Sequence, residues 1–329
     1  PPALAKAGFT NVQLVEAQST PDGNFPTVAS PNPEESAALA MAVAQAEATG
    51  ADLVIGCDPD TDRVGIAVND GTGKMQLLNG NDTAALLVHY ILDAYKTNGT
   101  LPANGFTAAT VVTTDLIADI SAAYGVPCYR CLTGFKWIAD IINNKPEEQF
   151  LVGGEESYGY LIGDEVRDKD AVASAVMIAE MAANAKAQGR TVLQQLEAIH
   201  REFGQYQERL IAVTKKGRSG AQEIADMMTA LRNDPPKTLA GSPVIIAIDH
   251  GKSTQTDLLT GATSSTELPA SNVLQFITEA GDKVSARPSG TEPKIKFYFS
   301  VRATTGESHA ATKAELERKI DTFIEELNL

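Results

Sequence analysis

Residues 51–68 read ADLVIGCDPDTDRVGIAV, and this stretch predicts how the chain folds around it. Two apolar, β-prone runs flank a loop, residues 57–63, in which three aspartates occupy alternate positions. We therefore predict two buried strands with an acidic loop between them. Side chains at alternate positions of an extended chain point the same way, so the carboxylates of Asp58, Asp60 and Asp62 should face one ligand. Oxygen ligands packed this closely repel each other unless a hard cation lies among them, which predicts a Mg²⁺ site.

Arg63, which closes the acidic loop, narrows the kind of site that the sequence predicts. An EF-hand requires glycine at the sixth loop position and glutamate at the twelfth. These positions hold Arg63 and Asn69, and Pro59 follows the first aspartate, so that motif is excluded. A cation beside a metal ion is expected where the two share an anion, and a phosphoryl group meets this requirement. A second interpretation stays open at this point, namely an acidic turn whose carboxylates are solvated.

Length, charge and cysteine content limit the classes of protein to be considered. A chain of 329 residues is expected to form two or three domains. The formal net charge of −15 argues against a nucleic acid partner and requires any phosphate site to be positive locally. Apolar runs fall short of the roughly 20 residues of a membrane span, so no membrane partner is predicted. Three cysteines and the lack of a signal peptide predict a cytoplasmic protein without structural disulfides.

The order of the predicted elements indicates an α/β fold class. Strands alternate with helices through the first two thirds of the chain, which predicts two consecutive α/β domains with mixed or mostly parallel sheets, residues 1–103 and 104–206. Strands follow one another directly in residues 207–329, so this C-terminal domain is predicted to be α+β. Ligand sites in α/β sheets lie at the carboxyl ends of the strands, where the acidic loop is expected.

The sequence also makes four local predictions of secondary structure. Residues 11–17 and residues 110–114 are each predicted to form a strand. Ser30 or Asn32 is predicted to cap a helix over residues 34–49. The Thr/Ser/Gly-rich residues 251–266 are predicted to form a hairpin or a flexible loop.

A second loop with a specific composition is RPSGTEPK, residues 287–294. A glycine in it allows main-chain N–H groups to converge on an anion, and the flanking hydroxyls and guanidinium add donors. The following strand alternates basic or polar residues with apolar ones, so its two lysines should rise on one side near the loop. The predicted phosphate-binding residues are Arg287, Ser289, Gly290, Thr291, Lys294 and Lys296. An ordinary polar turn with a solvated basic face would give the same pattern, and that alternative stays open.

Three further segments carry polar residues in places that suggest a ligand. Glu155 and Ser157 lie two apart after a buried strand, so both can present oxygens to sugar hydroxyls, and an acidic turn with capping roles is the alternative for this loop taken alone. Lys136 lies at the beginning of a helix, where a cation is mildly unfavourable, which suggests a bound anion, although surface lysines are also common at helix starts. Arg167 and Lys169 alternate with aspartates, a pattern that is also typical of a solvated salt-bridge face.

Together these loops resemble the signatures of a known family. DPDTDR (58–63), GEESYG (154–159) and RPSGTE (287–292) are similar to three signature loops of the α-D-phosphohexomutase family and occur in the family's order. TGFK (133–136) and RDKD (167–170) resemble the phosphoglucomutase and phosphopentomutase branch. The resemblance covers nearly the whole chain.

This resemblance implies four domains around a cleft and a phosphoserine, in the first domain, that donates its phosphoryl group to a sugar phosphate. The bisphosphate intermediate then reorients and returns its other phosphoryl group to the serine. By the same resemblance Asp58, Asp60 and Asp62 would bind Mg²⁺, and Arg63 would act on the transferring phosphoryl group. The resemblance also implies a catalytic role for Lys136. The expected ligands are glucose, mannose or pentose phosphates and the sugar bisphosphate. The expected substrate-binding residues are Glu155, Ser157, Arg167 and Lys169, and the loop at 287–294 would hold the other phosphate.

One departure from the family pattern limits the expected activity. The family's nucleophilic serine lies in a Ser-His-Asn-Pro sequence, and no Ser-His pair precedes the metal loop here. Residues 30–33, SPNP, imitate it only loosely and are interpreted as a helix cap. We therefore expect domains two to four without domain one, and a chain that binds metal and sugar phosphate weakly but does not isomerise it. Two alternatives stay open: a non-catalytic metal or sugar-phosphate binding module, and a Mg²⁺-dependent sugar phosphatase. The oligomeric state is not predicted.

Overall fold

The structure is a computed structural model that describes residues 1–215, 217, 219–290, 292–304, 306 and 308–329. The chain divides into two compact units, which we call unit 1 (residues 1–203) and unit 2 (residues 204–329). The helices and strands of unit 1 are, in order, α1 (Pro2–Lys6), α2 (Glu16–Ser19), α3 (Ser36–Thr49), β1 (Leu53–Cys57), β2 (Val64–Asn69), β3 (Met75–Leu78), α4 (Gly80–Thr97), β4 (Gly105–Thr110), α5 (Leu116–Ala123), β5 (Cys128–Cys131), α6 (Lys136–Asn144), β6 (Gln149–Gly154), β7 (Tyr160–Ile162), α7 (Ala171–Ala187) and α8 (Val192–Phe203).

The first sheet of unit 1 has the order β1-β2-β3, and both of its strand pairs are antiparallel. The two strands predicted around the acidic loop are confirmed as β1 and β2, with Cys57 opposite Val64 in the register. The expectation of a mixed or mostly parallel sheet is wrong for this first segment. The loop at 58–63 is too short for a parallel pair, which needs a crossover of roughly a dozen residues or more. Helix α3 packs on this sheet through Leu39, which is 4% exposed.

Two local predictions near the beginning of the chain are also wrong. Residues 11–15 form no regular element and α2 begins at Glu16, so the strand expected at 11–17 is absent. Neither predicted cap holds α3, since this helix begins at Ser36 and its N-cap is Glu35. Ser30 Oγ instead accepts the N–H of Asn32 at 3.4 Å, and Asn32 Oδ1 accepts the N–H of Glu34 at 3.1 Å. These side chains close a turn before the helix.

The second sheet has the order β5-β4-β6-β7. Strand β4 is parallel to β5 and β6, and β7 is antiparallel to β6, so the mixed, mostly parallel sheet is confirmed here. The strand predicted over residues 110–114 is wrong in its position. Strand β4 begins at Gly105 and ends at Thr110, because Thr113 N–H turns back to the Thr110 carbonyl at 3.2 Å. Helix α6 covers one face through Ile138 and Ile142, and α4 packs against α5 and β6. The domain boundary predicted after residue 103 stays a prediction.

The described residues of unit 2 form one large antiparallel sheet and two helices. Its strands run in the order β12-β11-β10-β13-β14-β15-β8, with β9 beside β10. Its elements are β8 (Gln205–Thr214), α9 (Gly220–Asn233), β9 (Thr238–Leu239), β10 (Ser242–Asp249), β11 (Thr254–Asp257), β12 (Thr263–Ser265), β13 (Leu274–Thr278), β14 (Lys283–Pro288), β15 (Lys294–Ala303) and α10 (His309–Glu326). The α+β class is confirmed, as is the hairpin predicted within 251–266, which is formed by β11 and β12.

The alternation predicted for β15 is also confirmed. Ile295, Phe297, Phe299 and Val301 are buried in one core. Residues of α9 and α10, among them Met228 and Ile320, complete that core. No helix in the described part of the chain has both the length and the apolarity that crossing a membrane requires.

Candidate functional site

The acidic loop at 58–63 joins β1 to β2 and brings its three carboxylates together. One oxygen each of Asp58, Asp60 and Asp62 lies within 4.8 Å of the others. Asp60 is exposed, while Asp58 and Asp62 are partly buried. All donors are carboxylate oxygens, the ligand type that hard divalent cations such as Mg²⁺ prefer. The residues therefore fit the predicted metal.

A tight turn produces this convergence, rather than alternation along an extended strand as the sequence suggested. The N–H of Thr61 donates to the Asp58 carbonyl at 3.1 Å, and Thr61 has a φ of +60°, in the left-handed region. Asp58 Oδ1 accepts the N–H groups of Asp62 at 3.0 Å and Arg63 at 2.9 Å. One oxygen of Asp58 thus holds the loop closed.

The electrostatics of the loop favour a bound cation. Burial raises the pKa of the Asp58 carboxyl, and the charges of Asp62 and Asp60 raise this pKa further. The N–H of Arg63 acts in the opposite direction but does not offset these effects. A raised pKa means that the ionised form is disfavoured, and a divalent cation among the carboxylates would remove that cost.

The guanidinium of Arg63 lies beside this group. Its Nη1 donates to Glu34 Oε1 at 2.8 Å, and its Nε lies 3.8 Å from Asp62 Oδ1. The sequence reasoning missed Glu34, and nothing in its local spacing indicates a contact with a residue so distant along the chain. The predicted role of Arg63 on a phosphoryl group stays a prediction.

The GEESYG loop follows β6, as expected, and is tied to two neighbouring segments. Glu155 is 8% exposed, and its Oε1 accepts the N–H of Gly134 at 2.7 Å. This bond joins the loop to the TGFK turn. The carbonyl of Tyr158 accepts the N–H of Val64 at 3.0 Å, which joins it to the first residue after the acidic loop. The structure thus brings three of the predicted segments of unit 1 together.

Glu156 is a second residue that the sequence reasoning missed. Its Oε2 accepts the hydroxyl of Thr113 at 3.1 Å, and its N–H donates to the same hydroxyl at 3.3 Å. These bonds hold the loop against Thr113, while Ser157 is partly exposed. The glutamate predicted to bind sugar is Glu155, and that role stays a prediction.

The three basic residues predicted in unit 1 lie in different surroundings. Lys136 is exposed at the first position of α6, and its Nζ lies 5.1 Å from the centre of the Trp137 ring. Arg167 is exposed and pairs with Asp164 at 3.7 Å. Lys169 is the one of the three in contact with the acidic loop, because its Nζ lies 2.9 Å from Asp62 Oδ2.

The pKa of Lys169 reflects this contact. Burial alone would lower it, but the hydrogen bonds and charges of Asp62 and Asp168 raise it above the ordinary value. The ammonium is therefore firmly charged at neutral pH. The pairing with Asp62 crosses between loops that are far apart in the sequence.

In unit 2 the loop after β14 has the basic flank that was predicted. Arg287 is the register partner of Lys296 on the adjacent strand, and the N–H of Ser289 donates to the Lys294 carbonyl at 2.7 Å. Gly290 is exposed, and Arg287, Lys294 and Lys296 are partly exposed. Thr291, also predicted here, lies outside the described residues. The backbone N–H of Lys215, a residue that the sequence reasoning missed, donates to the Pro293 carbonyl at 2.9 Å and ties the end of β8 to this loop.

Comparison with known proteins gives the family. The phosphoglucomutase/phosphomannomutase alpha/beta/alpha domain II model matches residues 1–72, and the domain III model matches residues 79–203. The chain belongs to the α-D-phosphohexomutase family. The family assignment made from the signature loops is thereby confirmed. Phosphohexomutases are isomerases that transfer phosphoryl groups in carbohydrate metabolism.

Curated relatives support the same assignment. A phosphoglucomutase from Staphylococcus epidermidis is 38% identical over 302 residues, which cover 92% of this chain and 54% of the relative. A protein named "Probable phosphomannomutase" from Haemophilus influenzae is 37% identical over 319 residues, which cover 96% of this chain and 60% of the relative. This phosphohexomutase chain thus spans only between 54% and 60% of the length of these relatives.

Solved structures support the fold. A phosphoglucomutase/phosphomannomutase family protein from Burkholderia thailandensis superposes with a TM-score of 0.59 at 16% identity, over 93% of this chain and 53% of that one. The open form of the phosphoglucomutase parafusin from Paramecium gives a TM-score of 0.58 at 18% identity, over 85% of this chain and 46% of that one. At this identity the likeness concerns the phosphohexomutase fold alone.

Proposed function

We propose that this chain supplies the metal-, sugar- and phosphate-binding parts of a phosphohexomutase. The reaction interconverts a sugar 1-phosphate and a sugar 6-phosphate through a bisphosphate, and the phosphoryl-carrying serine is not among residues 1–329. The observation that carries the proposal is the convergence of Asp58, Asp60 and Asp62 within 4.8 Å, next to a loop whose Tyr158 carbonyl accepts the Val64 N–H. This reaction requires a metal-binding loop, proposed at 58–63, to lie beside a loop that binds the sugar, proposed at 154–159.

The metal supports the reaction by charge neutralisation. Asp58, Asp60 and Asp62 would hold Mg²⁺, which when bound would offset negative charge on the transferring phosphoryl group. Phosphoryl transfer needs positioning and charge stabilisation more than covalent chemistry from further side chains. Arg63 lies beside the carboxylates and would orient an anion shared with the metal. Lys136 is proposed to add a second positive group from the start of α6.

The remaining predicted residues are proposed to bind the sugar phosphate. Glu155 and Ser157 would offer oxygens to sugar hydroxyls, and Arg167 and Lys169 would add positive charge. In unit 2 the proposed phosphate-binding residues are Arg287, Ser289, Gly290, Thr291, Lys294 and Lys296. The relatives' names, phosphoglucomutase and phosphomannomutase, make glucose and mannose phosphates the first ligands to test.

Calorimetric titration of the 329-residue chain with glucose 1,6-bisphosphate, with and without Mg²⁺, tests the binding part of the proposal. We expect binding that requires Mg²⁺ and is lost in Asp60→Asn. The matched control is Asp140→Asn, which makes the same change at an exposed position on α6 and should bind like wild type. Binding that survives Asp60→Asn would instead identify a binding module without a functional metal site.

The catalytic part is tested by incubating the same chain with glucose 1-phosphate, Mg²⁺ and catalytic glucose 1,6-bisphosphate. We expect neither glucose 6-phosphate nor inorganic phosphate above background. Release of inorganic phosphate would identify a hydrolase. Sustained formation of glucose 6-phosphate would show that residues 1–329 contain a working phosphoryl acceptor.

A further inference from the structure

Asp62 differs from Asp58 in what neutralises its charge. Asp58 is held by two backbone N–H groups. Asp62 is flanked by two cations, since Lys169 Nζ lies 2.9 Å from its Oδ2 and Arg63 Nε lies 3.8 Å from its Oδ1. The contact with Lys169 is the closer one, so an ammonium group occupies one of the faces that Asp62 can offer to a ligand.

Lys169 is held in this position by its stem. Its side chain is only 14% exposed, and it crosses the backbone of Gly159 so closely that a Cβ there would lie 2.2 Å from Lys169 Cδ. The ammonium lies 5.6 Å from the centre of the Phe135 ring. The side chain therefore touches the GEESYG loop and the TGFK turn as well as the acidic loop.

A second carboxylate lies within reach of the same ammonium. Asp168 Oδ1 is 3.0 Å from Lys169 Nζ, and the Asp168 side chain is 65% exposed. Lys169 can therefore give up Asp62 without losing every acceptor. The loss of one of two ion pairs costs less than the loss of a single buried partner, because the ammonium stays hydrogen-bonded.

We propose that Lys169 competes with the divalent cation for Asp62, and that metal binding releases its ammonium for an anionic sugar phosphate. The inference rests on the proposed function, because it takes the three aspartates as the metal site. An ammonium and a divalent cation on the same carboxylate repel each other strongly at a separation of a few ångströms. When the cation binds Asp62, the charge of Lys169 becomes available to an anion between the acidic loop and the GEESYG loop. Metal and anion then bind with positive coupling, which must be reciprocal.

Mn²⁺ titration followed by electron paramagnetic resonance tests this inference without any need for turnover. Lys169→Met keeps most of the stem that packs on Gly159 and removes the charge, and we expect it to bind Mn²⁺ about tenfold more tightly than wild type. Lys169→Arg keeps the charge and should stay near the wild-type affinity. Asp168→Asn removes the alternative acceptor and should weaken Mn²⁺ binding. The control Lys186→Met removes an exposed lysine that pairs with Asp52, and it should leave the affinity unchanged.

The coupling is measured by repeating a glucose 1,6-bisphosphate titration with and without Mn²⁺. We expect Mn²⁺ to raise the affinity of wild type by a larger factor than that of Lys169→Met. Unchanged or weaker Mn²⁺ binding by Lys169→Met would overturn the inference while leaving the metal site in place. An equal factor in both proteins would overturn the coupling. Failure of wild type to bind Mn²⁺ would instead reject the proposed metal site, and the inference with it.

Discussion

A single methyl group added at Gly80 should disturb the GEESYG loop (154–159), although Gly80 lies outside that loop. This glycine is the first residue of α4, and a Cβ built on it would lie 1.9 Å from the carbonyl oxygen of Glu156. The same Cβ would lie 2.7 Å from the Glu156 carbonyl carbon. Helix α4 therefore begins directly against the backbone of the GEESYG loop. Both contacts are with backbone atoms, so rotation of a side chain cannot relieve them.

Gly80→Ala should therefore destabilise unit 1 and weaken sugar-phosphate binding together. The oxygen would have to move from 1.9 Å to at least 3.0 Å away, a shift that the bonds of Glu156 to Thr113 oppose. Overpacking of this kind costs about 1–3 kcal/mol. Helix propensity alone predicts the opposite sign, because alanine is favoured over glycine by about 0.5–1 kcal/mol. A decrease in the free energy of unfolding would therefore indicate overpacking, and an increase would indicate helix propensity.

Urea unfolding and a glucose 1,6-bisphosphate titration are the assays for Gly80→Ala. The matched control is Gly23→Ala, where a Cβ would have nothing within 4 Å, and it should change neither stability nor binding appreciably. A Gly80→Ala variant that is as stable as wild type and binds the ligand equally well would refute a close packing of α4 on the GEESYG loop.

Three further predictions concern unit 1. Tyr160→Phe removes the buried hydroxyl that donates to the Gly80 carbonyl at 3.0 Å, and urea unfolding should show a loss of about 1–2 kcal/mol. Burial lowers the pKa of His89 in the folded state. The free energy of unfolding should therefore keep its full value above the unfolded pKa of about 6.5 and decrease as the pH drops below it. In His89→Phe the loss of stability at low pH should be smaller than in wild type. A pH profile identical to that of wild type would show that His89 does not cause the loss. Burial raises the pKa of the Cys131 thiol to about 12, so iodoacetamide at pH 8 should label it only after unfolding, and rapid native labelling would contradict this.

The sequence was informative wherever a pattern is local. The apolar runs around residues 57–63 predicted β1 and β2, and alternation along β15 predicted which side chains enter the core. The antiparallel pairing of β1 with β2 was also predictable, because their short connection excludes a parallel pair. Helix α8 was missed although Val192, Leu196 and Ile199 recur at helical spacing and are all buried. Both features therefore have a local signal in the sequence.

Other features could not be predicted because they depend on contacts between distant segments. Apolar residues such as Val12 and Leu14 suggested a strand, yet both side chains remain exposed and the segment is irregular. The pairing of Arg63 with Glu34 and the bond from Gly134 to Glu155 have no local signature. The same holds for the contact of Lys169 with Asp62. The candidate residues were therefore predicted from loop composition, whereas their partners lie too far away in the sequence to be predicted from it.

Anomalous diffraction from a crystal grown with Mn²⁺ and glucose 1,6-bisphosphate tests the central claim most directly. The account predicts one strong manganese peak bounded by carboxylate oxygens of Asp58, Asp60 and Asp62, with sugar density beside Glu155 and Ser157. A manganese peak elsewhere, or sugar density remote from both loops, would contradict it.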